Sequence, residues 1–138
     1  MAFQSKNIFI NLPVKDVKKS TSFFRSLGFE FNAQFTTNDT ASMIISDNIF
    51  ALIMTEDRFK EFSKKEIVDA TTSAEAILCL SADTREQVDE LVNKAVASGG
   101  KISNDPQDHG FMYGWGFQDL DGHIWEVVYM DESTMNQG

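Results

Sequence analysis

The chain has 138 residues, 42% of them hydrophobic and 24% charged, which is the size and composition of a soluble globular domain. Its formal net charge of −9 argues against nucleic acids and anionic membrane surfaces as partners. No apolar run approaches the ~20 residues of a membrane span, and the first residues lack a signal-peptide pattern. Cys79 is the single cysteine, which rules out an intrachain disulfide and suits a reducing compartment. We therefore expect a cytoplasmic protein.

The first half of the chain predicts one strand, one helix and three more strands. Asp16 is placed to cap a helix that buries Val17, Phe23 and Leu27, and Gly28 is placed to end it. Alternating or β-branched and aromatic stretches predict strands at residues 7–14, 29–35, 41–46 and 49–54. A polar amphipathic segment at 57–73 follows, which we expect to form a short helix and a linker.

The second half predicts the same order of elements. After a strand at 75–82, a helix is expected to begin at Thr84 and to end at Gly99 and Gly100. Its apolar positions fall on one face, as an amphipathic helix requires. Three strands follow, at 101–103, 111–117 and 123–130, with a polar loop at 104–110 and a turn at Asp121-Gly122.

This internal repeat predicts the fold class. The stretch "INLPVKD" corresponds to "LCLSAD", and "DNIFALIM" corresponds to "DGHIWEVVYM". We expect a single α+β domain over residues 1–138, made of two βαβββ modules at about 5–56 and 74–131 joined by the linker 57–73. Their curved mixed sheets are expected to enclose a cleft, which is the usual place for a small ligand. Open sheet edges favour pairing with a second copy, so we expect a homodimer.

One carboxylate interrupts the last predicted strand. Glu126 lies between Trp125 and Val127 in the run "HIWEVVYM". A buried carboxylate is costly unless it is hydrogen-bonded, paired or bound to a metal. Glu126 therefore needs a partner, either in the protein or in a ligand.

The opening "FINLPVKDVKKSTSFFRSLGF" and the closing "GWGFQDLDGHIWEVVYMD" resemble the glyoxalase/bleomycin resistance protein/extradiol dioxygenase superfamily, also called vicinal oxygen chelate. The closing motif resembles the family ending Asp-Pro-Asp-Gly-x-x-x-Glu, with Leu120 in place of proline, and is similar to proteins described as predicted lactoylglutathione lyases. The resemblance covers almost the whole chain and implies the paired βαβββ fold.

The resemblance also implies where a metal would sit. In metal-dependent members, four side chains from the first and last strands of the two modules converge on the ion. These positions fall here on Phe9, Leu52, Ile77 and Glu126. Three of the four are hydrocarbons, and one carboxylate is too few for a tight Zn, Ni or Fe site. We therefore expect no metal cofactor.

A divalent metal in a different arrangement is the alternative. Asn11 shares the strand face of Phe9, and Cys79 shares the face of Ile77. A loop histidine such as His109, or a residue from a partner chain, would also have to contribute. His123 is three residues from Glu126 and points to the opposite face of the strand.

Two interpretations of Glu126 remain open. The carboxylate is either a structural group hydrogen-bonded to Tyr113, Trp115 or Asn11, or the anchor for a cationic or donor group of a ligand. Aromatic side chains from both modules would supply stacking surfaces. The expected ligand-binding residues are Phe9, Asn11, Phe50, Trp115 and Glu126, and Glu126 is the one candidate for a catalytic residue.

Three functions follow from the resemblance. The favoured one is binding of a small cationic or aromatic molecule without the family's metal, as bleomycin resistance proteins sequester a cationic drug. The second is a glyoxalase-like lyase or isomerase, or a dioxygenase, with a rearranged metal site. Such chemistry needs an ion that polarises neighbouring oxygens, and a carboxylate base alone does not stabilise an enediolate. A domain acting only through its dimer surface is the third.

Overall fold

A computed structural model describes residues 2–131 of the chain. The polypeptide forms two compact units that divide between Ile67 and Val68. Each unit is a mixed sheet with one helix of ten residues or more against it. The predicted α+β class is confirmed. No helix within residues 2–131 is both long enough and apolar enough to cross a lipid bilayer.

The first module contains a four-stranded sheet. In chain order its elements are β1 (Ile8–Val14), α1 (Val17–Ser26), β2 (Glu30–Phe31), β3 (Thr40–Ile44), β4 (Ile49–Thr55) and the short helix α2 (Glu56–Lys60). The strand order is β1-β4-β3-β2, with β1 parallel to β4 and the other pairs antiparallel. The Asp16 side chain caps α1 by accepting a hydrogen bond from the Lys19 amide at 3.1 Å. Both the cap and the end of the helix near Gly28 are as the sequence predicts.

The predicted strand at 29–35 is wrong over most of its length. Only Glu30–Phe31 pairs with β3, and Ala33–Phe35 form a single 3-10 turn. Asn32 causes the change, because its side-chain oxygen accepts a hydrogen bond from the Gln34 amide at 3.0 Å. Such local side-chain bonds offer the backbone an alternative to the sheet, and the alternating pattern of the segment does not reveal them.

The second module repeats this plan with one extra strand. Its elements are β5 (Ile77–Ala82), α3 (Arg85–Ala97), β6 (Lys101–Ile102), β7 (Gln107–Asp108), β8 (Met112–Gln118) and β9 (Ile124–Met130). The strand order is β5-β9-β8-β6, and β7 also pairs with β8. The two-residue strand β7 lies inside the segment expected to be a loop. β6 and β7 therefore pair with the same edge of β8, separated by residues 103–106.

The helix α3 covers one face of the second sheet. Thr84 caps it by accepting a hydrogen bond from the Gln87 amide at 3.1 Å, and Gly99 ends it with a φ of 109°. The helix lies against β8 and β9 and buries its apolar side chains there. The fully buried large residues of this layer are Val88, Val92, Phe117 and Trp125. The opposite face of the sheet carries Glu126.

The strand registers confirm that the two modules are repeats of one another. Parallel pairing places Asn11 beside Leu52 in the first module and Cys79 beside Glu126 in the second. Leu52 and Glu126 therefore occupy equivalent positions on the last strand of each module, as the sequence comparison of the two halves predicts.

A buried carboxylate fixes the turn that leads into β9. Asp119 accepts hydrogen bonds from the amides of Asp121 and His123 and from the indole nitrogen of Trp125, each at 3.0 Å. Within this turn Gly122 has a φ of 91°. A methyl group on Gly122 would lie 2.6 Å from the carbonyl oxygen of Ala70, so the turn is packed against the backbone at 70–71.

We expect Gly122→Ala to destabilise the protein more than Gly28→Ala does. Both residues have positive φ, so either substitution carries a backbone strain of about 1–3 kcal/mol. A methyl group on Gly28 meets no atom within 4 Å, whereas one on Gly122 collides with backbone. Overpacking adds about 1–3 kcal/mol at Gly122. Urea denaturation of the two variants measures the difference, and equal losses would contradict the packing argument.

Candidate functional site

Four residues form a row across the face of the second sheet that points away from α3. Pairing places Cys79 of β5 beside Glu126 of β9, and Glu126 beside Gly116 of β8. Beyond Gly116 the row ends at Ser103, whose amide donates a hydrogen bond to the Gly116 carbonyl oxygen at 3.2 Å. Paired residues on neighbouring strands direct their side chains to the same face. A thiol, a carboxylate, a glycine gap and a hydroxyl therefore lie side by side.

The glycines of "GWG" create a hollow on this face. Gly116 lies opposite Glu126 and Gly114 lies opposite Val128, so β8 presents no side chains there. The segment between β6 and β7 borders the vacated space. The resulting hollow has a volume of about 90 Å³ and is lined by Asn104, Asp105, Gln107, His109, Met112, Gly114, Trp115, Gly116, Glu126 and Val128. This is smaller than the roughly 300–1,000 Å³ of pockets that enclose a drug-sized ligand, so the hollow is suited to one end of a molecule.

Glu126 has no hydrogen-bond or ion-pair partner within the described part of its module. The two local partners considered from the sequence are engaged elsewhere. The hydroxyl of Tyr113 donates to Asp89, and the indole nitrogen of Trp115 donates to the carbonyl oxygen of Asn104 at 2.9 Å. The hydrogen bond to Asp89 raises the pKa of Tyr113 to about 12, and burial adds to the effect. Glu126 is therefore a partly buried carboxylate that faces a hollow and lacks a partner.

An ionic brace holds the edge of the hollow to the helix. The Arg85 guanidinium makes two hydrogen bonds to the Asp108 carboxylate, at 2.9 and 3.1 Å, and a third to the Gly110 carbonyl oxygen at 2.9 Å. The guanidinium carbon also lies 5.2 Å from the centre of the Tyr113 ring. This brace fixes the turn after β7, so Gln107 and His109, which flank Asp108, are held at the hollow. Arg85 comes from the first turn of α3.

We expect Asp108 to titrate far below an ordinary aspartate. The hydrogen bonds from Arg85, and then the Gly110 amide, lower its pKa from 3.8 to about 2. A carboxylate whose folded pKa is depressed stabilises the fold above its unfolded pKa, so this contribution is present above about pH 4 and is lost as the pH falls toward 2. Carbon-13 NMR titration of the Asp108 carboxyl group measures the midpoint.

Two variants isolate the cause of this shift. In Arg85→Gln, the pKa of Asp108 should rise toward 3.8, although the hydrogen bond from the Gly110 amide still lowers it. Arg58→Gln is the matched control, because it removes the Arg58–Glu61 pair of the first module and should leave Asp108 unchanged. A midpoint near 4 in the unaltered protein would show that the brace does not form in solution.

The other expected ligand-binding residues are in the first module, apart from Trp115. Phe9 and Phe50 stack with ring centres 5.3 Å apart, and 56% of Phe9 is exposed. Asn11 is two residues further along β1, and its side chain donates to the Phe9 carbonyl oxygen at 3.3 Å. Trp115 pairs with Val127, so it belongs to the helix-facing side of β8, and it is also among the residues that line the hollow. The structure thus brings Trp115 and Glu126 to one hollow.

The acidic and thiol groups of the second module do not assemble into a ligand set. Within either module, residues 2–131 contain no group of three or more His, Cys, Asp or Glu side chains that would hold a metal ion. Burial, and then the neighbouring Glu126 carboxylate, raise the pKa of the Cys79 thiol. A thiol that resists ionisation is a poor metal ligand and a poor nucleophile.

Residues 8–127 match the model of the Glyoxalase/Bleomycin resistance protein/Dioxygenase superfamily. The chain belongs to this superfamily. A hypothetical protein from S. aureus, SA1046, is 29% identical with a TM-score of 0.76, and the match covers 92% of this chain and 95% of that one. A glyoxalase-related enzyme from Fulvimarina pelagi is 19% identical with a TM-score of 0.76, covering 92% and 88%. No curated protein matches the chain significantly.

Another superfamily structure is the fosfomycin resistance protein FosX from Listeria monocytogenes in its hexagonal form. It is 22% identical with a TM-score of 0.65, and the match covers 92% of this chain and 94% of that one. At this identity the likeness establishes the fold alone. Superfamily membership therefore does not assign a reaction, a ligand or a metal to this chain, and those must come from its own residues.

Several residues of the hollow were not predicted from the sequence. Among them are Asn104, Gln107, Gly114 and Gly116. The two glycines carried a signal, because glycine at alternate positions of a strand marks a place where another group approaches the backbone closely. The polar segment 104–107 carried no such signal, because the sequence of a loop does not indicate which face of the sheet the loop borders.

Proposed function

We propose that this protein binds a small organic cation, whose charged end enters the hollow and pairs with Glu126, and that it does so without the metal that the family resemblance implies. The observation that carries the proposal is the carboxylate of Glu126, which is partly buried, faces the hollow and has no partner among the described residues of its module. A partly buried carboxylate without a partner is costly, and a bound cation removes that cost.

The composition of the lining supports a cation over an anion. Two carboxylates, Glu126 and Asp105, line the hollow together with the amide side chains of Asn104 and Gln107. No lysine or arginine is among the described residues that line it. The net charge of −9 adds a long-range field of the same sign, which would raise the rate at which cations associate.

Two measurements test the proposal. Small molecules released from protein purified from its own cells should include an organic cation, identified by mass spectrometry. In nitrogen-15 NMR titrations, benzylammonium should shift the amides of 104–109, 114–116 and 126–128 at lower concentration than benzyl alcohol does. Benzyl alcohol is the matched probe, because it keeps the ring and loses the charge. Equal responses to both would contradict the proposal.

We also propose that no catalytic divalent metal is held at the family position, because Phe9, Leu52 and Ile77 cannot ligate one. After loading with Ni, Co or Zn and desalting, elemental analysis should find far less than one ion per chain. Turnover of methylglyoxal with glutathione should be absent. About one ion per chain that is lost in Glu126→Ala would overturn this and favour a glyoxalase-like enzyme with a rearranged site.

The contribution of Phe9, Asn11 and Phe50 to ligand binding stays a prediction, as do the homodimer and the cytoplasmic location. Phe9 is exposed and stacks on the partly buried Phe50, which gives an aromatic surface suited to a flat ligand. Phe9→Ala should weaken the binding of a flat aromatic ligand at this surface. Sedimentation at micromolar concentration decides the oligomeric state.

A further inference from the structure

Ser103 carries a hydroxyl that the fold leaves unused. Its Oγ atom is buried and has no hydrogen-bond partner among the described residues. A buried hydroxyl that is left without a partner is destabilising. Ser103 lies at the end of the row that contains Glu126, next to the gap over Gly116.

The Ser103 hydroxyl and the Glu126 side chain both lie close to the space that a side chain at Gly116 would occupy. A methyl group on Gly116 would lie 2.6 Å from Ser103 Oγ and 3.1 Å from Glu126 Cγ. The two side chains therefore lean toward each other over the glycine from opposite sides. Ser103 precedes the irregular segment 104–106, so its side chain is not held by a continuous strand pairing.

We propose that Ser103 is a specificity-determining residue that selects cations bearing N–H groups, primary ammonium above all. This inference rests on the proposed function of the same hollow. A ligand that draws the Glu126 carboxylate toward itself uncovers the hydroxyl beside it. One N–H of the ammonium group then donates to the carboxylate and a second donates to Ser103 Oγ, which satisfies both groups. A quaternary ammonium ion has no N–H and reaches Glu126 by charge alone.

A comparison of two cations on two variants tests the inference. Ser103→Ala should weaken the binding of benzylammonium by about ten-fold, the loss expected for one hydrogen bond from a charged donor. The same substitution should change the binding of benzyltrimethylammonium by less than about two-fold, since no hydrogen bond is lost there. Ser81→Ala is the control, because Ser81 is an exposed serine on β5, whereas Ser103 Oγ is buried beside Gly116 and Glu126. It should affect neither cation.

Stability supplies an independent readout. Because the hydroxyl has no partner, Ser103→Ala should leave the urea midpoint unchanged or raise it. A lower midpoint would show a structural serine and would overturn the inference. So would an equal effect of Ser103→Ala on both cations, or no effect on either.

The experiment separates failure of this inference from failure of the proposed function. If both cations bind, Glu126→Gln weakens both and Ser103→Ala weakens neither, the cation site stands and the role of Ser103 is wrong. If neither cation binds the unaltered protein, the proposed function and the inference both fail.

Discussion

Replacing Asp119 with alanine should lower the free energy of unfolding by at least about 3 kcal/mol. Asp119 is 6% exposed, and its carboxylate accepts three hydrogen bonds, one of them from the indole of Trp125, which is fully buried. Alanine leaves the indole N–H and two backbone amides without their acceptor. A loss of this size is a large share of the roughly 5–15 kcal/mol that holds a typical domain folded.

Loss of the Asp119 side chain should also affect the candidate site, because the turn that Asp119 holds sets the register of β9. The turn held by Asp119 ends immediately before β9, which pairs with β8 so that Glu126 lies opposite Gly116. A slip of one residue would turn Glu126 to the helix-facing side. We therefore expect Asp119→Ala to weaken the binding of benzylammonium in addition to its loss of stability.

Urea denaturation followed by tryptophan fluorescence measures the effect. Asp119→Asn is the matched variant, because its single side-chain oxygen keeps part of the acceptor set, and we expect an intermediate loss. A loss below about 1 kcal/mol in Asp119→Ala would mean that the three donors find other acceptors, and would contradict the role assigned to this turn.

Local signals in the sequence were sufficient to predict most of the fold. Asp16 and Thr84 cap the two long helices, and Gly28 and Gly99 follow their ends with positive φ. These residues act on their own neighbours, so a single sequence reveals them. The repeat then supplied the topology, because two equal successions of elements build two sheets of the same strand order.

The candidate site was only partly predictable from the sequence. It depends on which alternate set of side chains along a strand faces the helix and which set faces the other side of the sheet. Alternation in "FMYGWGF" allows either the aromatic residues or the glycines to share a face with Glu126. The pairing register of β8 with β9 places Gly114 and Gly116 on the face that carries Glu126, and it places Trp115 on the other face. The burial of Phe117 and Trp125 under α3 fixes this choice, and that is a tertiary contact. Residues 103–107 were unpredictable for a similar reason.

We expect Glu126→Gln to weaken the binding of benzylammonium by about ten-fold or more, since a hydrogen bond to a charged group contributes about 1.5–3 kcal/mol. Glutamine keeps the shape of the side chain and removes its charge, so the hollow retains its lining. The same substitution should leave the free energy of unfolding unchanged or raise it. The reason is that the Glu126 carboxylate has no protein partner among the described residues of its module, so the substitution removes no hydrogen bond or ion pair there.

The opposite directions of these two effects decide between the two interpretations of Glu126. A structural carboxylate would lose stability on conversion to glutamine and would leave cation binding unchanged. A ligand anchor loses binding and keeps stability. Asp105→Asn is the control for the loss of one negative charge. Asp105 also lines the hollow, but it is exposed, so solvent screens the field of its carboxylate. We expect less than about a three-fold change there, as exposed ion pairs contribute about 0–1 kcal/mol. If Asp105→Asn and Glu126→Gln weaken benzylammonium equally, the binding is a diffuse effect of net charge, and Glu126 is not the anchor of a specific site.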